Sequence, residues 1–118
     1  MSNKLENYLR TYRKRSGLSQ DDVGFLLGCQ NGTKVSMYER SARKPSVENL
    51  FAYEVVFGAS ARELFAGAYH KVQKKISKRA QLLTRKLNRA TPNSMATRKL
   101  QILKAITSGS EIGPDRLL

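Results

Sequence analysis

The stretch that decides the fold is Leu18-Ser19-Gln20-Asp21-Asp22-Val23-Gly24-Phe25-Leu26-Leu27-Gly28, then Cys29-Gln30-Asn31-Gly32-Thr33-Lys34, then Val35-Ser36-Met37-Tyr38-Glu39-Arg40 and on to Pro45. It reads as two short helical patterns separated by a tight, polar turn that contains glycine. Ser19 is a good helix N-cap, and Asp22 three residues later can close a box with it. Asp21 and Asp22 also suit the positive end of a helix dipole. Val23, Leu26 and Leu27 form the stripe expected to be buried. Gly24 costs about 1 kcal/mol against Ala inside a helix, so it predicts the close approach of another helix. Gly28 closes this helix. The next is predicted to start at Asn31 or Gly32, with Asn31 as a suitable N-cap, and to end at Arg40. Val35 and Tyr38 face inward on it, and Thr33, Lys34 and Met37 fall on the opposite face. Ser41 to Pro45 is a basic loop broken by the proline.

Outward from this stretch, the chain continues as helices. Residues 4–15 carry Leu5, Tyr8, Leu9 and Tyr12 at helical spacing, and Gly17 stands where a C-cap glycine would. Ser46 caps a fourth helix over 46–57, whose apolar set includes Val47, Leu50, Phe51, Val55 and Phe57. Ser60-Ala61-Arg62-Glu63 is a capping box that opens a fifth helix, with Leu64 and Phe65 toward the core. Residues 68–89 form a longer helix with one apolar stripe of Ala68, Val72, Ile76, Ala80, Leu83 and Leu87. Thr91-Pro92-Asn93-Ser94 breaks it. A final helix over 95–107 carries Met95, Leu100, Leu103 and Ile106, and the tail after Gly109 reads as irregular. The fold class is therefore all-α: a compact five-helix domain over 1–67, and a basic helical extension over 68–118.

Charge separates the two regions. The chain of 118 residues has a formal charge of +13. Residues 1–66 hold ten Lys/Arg against seven Asp/Glu, a net +3; residues 67–118 hold twelve against two, a net +10. No acid occurs between Glu63 and Glu111. Such a balance implies an anionic partner. No apolar run is long enough to span a bilayer, and the N-terminus lacks a signal-peptide core, so a cytoplasmic protein is expected. One cysteine, Cys29, excludes an internal disulfide and a cysteine-rich zinc site. It reads as a half-buried hydrophobe. His70 has no second histidine for a metal site, and Tyr8, Tyr12, Tyr38 and Tyr53 read as core. With no nucleophile–base pair, no cofactor motif and no phosphate-cradling glycine loop, neither an enzyme nor a cofactor is expected.

Taken together, these pieces resemble the Cro/lambda-repressor-like (Xre-type) helix-turn-helix family of DNA-binding proteins. Leu18-Ser19-Gln20 followed by Val23-Gly24 is similar to the family's second helix, with Gly24 where Ala is usual. Val35 to Arg40 is similar to its recognition helix. Arg43-Lys44-Pro45-Ser46 is similar to the loop into helix four, and Ser60 to Phe65 to helix five. The resemblance covers residues 5–66. It implies that Gln20 contacts a phosphate, that Gly32, Thr33, Lys34 and Met37 face bases, and that Ser36, Arg40, Arg43 and Lys44 lie near the DNA backbone. It also implies an Arg13–Glu39 ion pair tying the first helix to the recognition helix, which spans about 31–40. Two departures stand out. Six residues separate Gly28 from Val35 where the family has five, the extra one placed at Gln30. Ser41 replaces the glycine usual after the recognition helix.

The chemistry fits that reading on its own terms. Lys34 can donate to guanine O6 and N7, Thr33 can bond a base or pack on a thymine methyl, and Met37 adds apolar contact. Arg and Lys contacts to phosphate supply affinity without sequence information. The plain alternative for Thr33, Lys34 and Met37 is a solvated face, and for Arg13 and Glu39 two separate surface charges. The function implied is a sequence-specific double-stranded-DNA-binding transcriptional regulator, repressor or activator, acting as a homodimer on a two-fold operator. Such a protein is expected in a bacterial or phage-type, nucleoid-associated setting. The 68–89 helix has three readings: a solvated basic face packed on its own domain, a dimer interface with Leu100, Leu103 and Ile106, or a source of phosphate contacts. A membrane-surface role is disfavoured by the lack of aromatic anchors beyond Tyr69. The other classes are an antitoxin-like or RNA-polymerase-contacting protein that grips a partner through the C-terminal region, and a nonspecific nucleic-acid binder, including of RNA.

Overall fold

The computed structural model describes residues 6–89 and 94–108, which form seven α-helices and no strand. They are α1 (Leu9–Ser16), α2 (Gln20–Leu26), α3 (Thr33–Glu39), α4 (Val47–Phe57), α5 (Ala61–Leu64), α6 (Ala66–Arg89) and α7 (Ser94–Thr107). The all-α class read from the sequence is what the chain adopts. Among the described residues no helix is long and apolar enough to cross a membrane. The chain divides into two units, Met1–Tyr69 and His70–Leu118. Leu5, the Thr91-Pro92-Asn93 break and the tail from Gly109 lie outside the described residues.

The first unit is built around Leu9, Val23, Val35, Tyr38, Tyr53 and Leu64, all buried, with α1 to α5 each contributing. Tyr12, Leu18, Leu27, Phe57, Ala59 and Phe65 pack against them. Tyr53 is the hub of the aromatic part. It meets Tyr38 edge-on at 6.1 Å, Phe65 edge-on at 6.4 Å and Phe57 in a stack at 5.9 Å. Pairs of this kind add about 0.5–1.5 kcal/mol each beyond area burial.

Local signals set the helix ends. The Ser19 hydroxyl accepts from the Asp22 N–H at 2.9 Å, and the Ser19 N–H donates to the Asp22 carboxylate at 2.9 Å, a reciprocal box. Those bonds, the backbone one foremost, draw the Asp22 carboxyl below its ordinary pKa. Ser46 and Ser60 accept from the N–H groups of Asn49 and Glu63. Gly17 and Gly58 end α1 and α4 at φ 78° and 61°, the left-handed region in which a Cβ is strained.

Four expectations are corrected. The first helix starts at Leu9, not near residue 4. Residues 6–8 are held as a strap instead: the Asn7 side-chain oxygen accepts the Leu9 N–H, the Tyr8 N–H donates to the Leu64 carbonyl at 2.7 Å, and the Ala68 N–H donates to the Glu6 carbonyl at 3.2 Å. On α2, Val23 is fully buried and Leu27 packs on the core, but Leu26 is 53% exposed. On α4, Val47, Phe51 and Val55 face outward, and Val55 is 84% exposed. They recur every four residues on one side, and Tyr53 occupies the other. α4 carries apolar residues on every side, so periodicity alone does not orient it; Tyr53, which meets the rings of Tyr38, Phe57 and Phe65, took the core. Lastly, Gly24 faces a turn and not a helix. A Cβ there would strike the Asn31 carbonyl oxygen, with the Asn31 carbonyl carbon 2.8 Å away.

The second unit comprises α6 from His70 onward and α7. Its buried residues are Ala80, Ala96 and Leu103. Val72, Ile76 and Leu83 of the α6 stripe are exposed, Leu87 is half-buried, and Met95 on α7 is exposed.

Candidate nucleic-acid interface

The interface is assembled from α2, the turn over 27–32, α3 and the loop that follows. The joint between α2 and α3 is made of backbone groups and one carboxylate. The Cys29 N–H donates to the Gly24 carbonyl at 2.8 Å, and the Gly32 N–H donates to the Asp21 carboxylate at 2.7 Å. A Cβ on Gly32 would sit 2.7 Å from the Gln20 carbonyl carbon and 2.8 Å from the Asp21 nitrogen. Real side chains do not approach so closely, so only glycine lets α3 start this near to α2. Gly32 is therefore buried in the joint and is not among the exposed residues of the face.

The additional residue of the turn is accommodated ahead of this joint. Gly28 adopts φ 83°, Gln30 is exposed, and the Asn31 side-chain oxygen accepts the Thr33 N–H at 3.0 Å. Gly32 then fixes where α3 begins, and α3 keeps seven residues, Thr33–Glu39.

Val35 and Tyr38 anchor α3 inward, and the Tyr38 hydroxyl accepts from the Asn49 amide at 3.0 Å. At about 100° per residue, Thr33, Ser36, Met37 and Arg40 come out on one side of α3, with Lys34 on its flank. Thr33, Lys34 and Arg40 are exposed; Ser36 and Met37 are half-buried. Arg43 and Lys44 are exposed in the loop beyond. Thus one apolar, two hydroxyl and two cationic side chains share the outer surface of α3, with two further cations at its end.

Behind that surface lies a polar tie. Arg13 Nε donates to Glu39 Oε2 at 2.6 Å and Arg13 Nη2 to Glu39 Oε1 at 3.2 Å, a bidentate ion pair with both side chains largely removed from solvent. Arg13 Nη1 also donates to the Leu18 carbonyl at 3.1 Å. The bond to Glu39 holds the Arg13 pKa above its ordinary value. Gln20 is half-buried, and its amide donates to Glu39 Oε1 at 3.2 Å. Its side chain thus belongs to the tie in this structure. Three helices meet at Glu39: α1 through Arg13, α2 through Gln20, and α3 itself.

Two residues that hold α3 are missing from the sequence reading. Asn7 donates to the Tyr38 carbonyl at 2.9 Å and to the Ser41 hydroxyl at 3.2 Å, closing the C-terminal end of α3. Asp21 holds its N-terminal end through Gly32. Asp21 had a signal, an acid in a first helical turn, but that signal pointed to the dipole. Ser41 itself sits at φ 58°, the left-handed region that explains why glycine is usual there.

A helix-turn-helix family model matches residues 9–64. No curated protein and no solved structure matches the chain.

Proposed function

We propose, from the helix-turn-helix match over residues 9–64, that this protein is a sequence-specific regulator of transcription of the Cro/lambda-repressor type. In this reading α3 enters the major groove of double-stranded DNA. Thr33, Lys34 and Met37 meet base edges, and Ser36, Arg40, Arg43 and Lys44 meet phosphates. Gln20 reaches a phosphate only by leaving Glu39. Gly32 contributes by bringing α3 close to α2.

The observation that carries the reading is the set of hydrogen bonds that pins α3 beneath a mixed apolar and cationic surface. Base discrimination needs donors held within a fraction of an ångström of their acceptors. A helix pinned at its start by Asp21 and Gly32, at its end by Asn7, and from behind by the Arg13–Glu39–Gln20 tie meets that need. A surface that only bound polyanions would need none of it.

Homodimerisation on a two-fold operator belongs to the same proposal, since a dyad sets two recognition helices about one DNA turn apart. The exposed Val72, Ile76 and Leu83 favour the C-terminal unit as the dimer contact. Leu103 is buried, so it is not part of that surface. The same exposed stripe is what an antitoxin-like or polymerase-contacting protein would offer a partner. Selection from random duplexes with the full chain tests the main reading: a single enriched motif with dyad symmetry is expected, and a pool without an enriched motif overturns it. Sedimentation of the full chain, with and without Val72→Glu and Ile76→Glu, tests the dimer: the double variant is expected to shift dimer to monomer.

A further inference from the structure

The outer surface of α3 does not account for the charge of this chain. Most of the net charge of +13 is on α6, which carries eight Lys/Arg and no acid over Ala66–Arg89, a net +8. At about 100° per residue, α6 sorts its side chains into separate faces. Val72, Ile76, Leu83 and Leu87 form the apolar stripe. Lys74, Lys78, Arg85 and Arg89 fall within about 60° of one another, on the side nearly opposite to that stripe. Lys75, Arg79 and Lys86, with the exposed Leu82 among them, fill the flank between ridge and stripe. The other flank is Gln73, Ser77, Gln81, Thr84 and Asn88, polar and uncharged. All seven cations from Lys74 to Arg89 are exposed, and among the described residues none of them pairs with a carboxylate.

We propose that the ridge Lys74, Lys78, Arg85 and Arg89 of α6 is a second nucleic-acid-binding surface, gripping the phosphate backbone of duplex DNA without reading its sequence. The proposal rests on the DNA-binding reading of the first unit. Two observations favour a nucleic acid over other polyanions. The first is charge density. From Lys74 to Arg89 a helix rises about 22 Å at 1.5 Å per residue, so the four ridge cations together with the three on the adjoining flank fall about one per 3.2 Å. A single strand of duplex DNA presents one phosphate per about 3.4 Å of axis. The second is the position of the cations. A helix lying on a bilayer sinks its apolar face into the headgroup boundary, so cations opposite that face stand away from the headgroups. Here one flank is uncharged and the main ridge points away from the apolar stripe.

The consequence is a division of labour. The ridge contributes affinity and salt dependence equally on every sequence, and α3 contributes the difference between sequences. The test uses the full chain with Lys74→Gln, Lys78→Gln, Arg85→Gln and Arg89→Gln together. Gln is a good helix former and all four sites are exposed, so α6 keeps its helicity, which circular dichroism checks. Affinity is measured against salt concentration on a selected duplex and on a scrambled one. With the four ridge charges no longer neutralising phosphates, the slope of log K against log salt is expected to become shallower by about 3 to 4. The affinity loss is expected to be the same on both duplexes, at least about tenfold at 0.1 M salt. A control on α7, Arg98→Gln with Lys99→Gln and Lys104→Gln, is expected to change the slope by less than about 1. An unchanged slope in the α6 variant overturns the inference, as does an equal effect of the α7 control. A slope that is unchanged on DNA while binding to phosphatidylserine vesicles falls reassigns the ridge to a membrane and also overturns it. The reading of the first unit fails separately, if the wild-type chain binds selected and scrambled duplexes equally.

Discussion

The two units handle charge in opposite ways. In the first, charged and polar side chains are bound to one another across helices: Arg13 to Glu39, Gln20 to Glu39, Asp21 to the Gly32 N–H. In the second, α6 turns its cations to solvent, and the ridge has no acid on its own helix. A buried, hydrogen-bonded charge fixes geometry, and removing its partner strands it. An exposed charge fixes nothing, contributes about 0–1 kcal/mol to stability, and attracts any phosphate. Specificity and bulk affinity therefore call for different placements of the same residue types: in the proposed reading the tie stands in the first unit, and the α6 ridge adds to the phosphate contacts of the exposed Arg40, Arg43 and Lys44.

Substitutions can break that contrast, and the largest effect is expected at the tie. Arg13→Ala leaves Glu39 buried without its partner and should cost about 3–5 kcal/mol in urea unfolding, whereas Lys78→Ala should stay within about 0.5 kcal/mol. Equal costs would erase the distinction between the units. Gly24→Ala forces a methyl onto the Asn31 carbonyl and should cost about 2–3 kcal/mol, read from the same unfolding curve. Lys34→Ala should lower affinity by about 1–3 kcal/mol and relax preference at one base pair if its contact is bidentate. A loss of the same size on scrambled duplex would place Lys34 with the α6 cations as a phosphate ligand.

Two smaller effects sharpen the picture. Ser41→Gly relieves a left-handed backbone at φ 58° and should stabilise by about 1 kcal/mol, despite loss of the Asn7 bond to its hydroxyl. Tyr53 is the exception within the first unit. Its hydroxyl is buried with no hydrogen-bond partner among the described residues. Tyr53→Phe should be neutral or stabilising by up to about 1 kcal/mol at pH 7. Burial, with the Glu39 carboxylate second, pushes the Tyr53 phenol far up. Its folded pKa is raised, so it lends stability that is present below the unfolded value and is lost as pH rises past about 10. Unfolding curves at pH 7 and pH 11 should therefore converge more in Tyr53→Phe than in the wild type.

Much of this architecture can be read before any coordinates. Ser19 with Asp22, Ser46, Ser60, Gly17 and Gly58 mark helix ends by local chemistry, and local chemistry survives folding. Val23, Val35, Tyr38 and Leu64 are inward in both accounts, and Val35, between Lys34 and Ser36, has no apolar neighbour in the chain to compete with it. The failures have a common cause. On α4, the apolar residues Val47, Phe51 and Val55 compete with Tyr53 for the inside, and only the rest of the core decides between them. The same holds for Leu26 on α2. Gly24 and Gly32 are legible as unusual, but whether a helix, a turn or a base lies opposite depends on residues in another part of the fold. Asn7 is a polar residue before a helix; that it closes α3 from Tyr38 to Ser41 is a long-range fact with no short-range trace.

The strap over residues 6–8 has a consequence for the order in which the first unit is made. Its two backbone bonds reach from Tyr8 to Leu64 and from Glu6 to Ala68, so they close the longest loops in that unit. Closing a longer loop costs more chain entropy, and synthesis proceeds from the N-terminus. While α1, α2 and α3 leave the ribosome, the acceptor for the Tyr8 N–H has not yet been polymerised. The strap can therefore close only once α5 and the start of α6 have been made. Closure of the strap thus waits for the segment that leads into the basic helix.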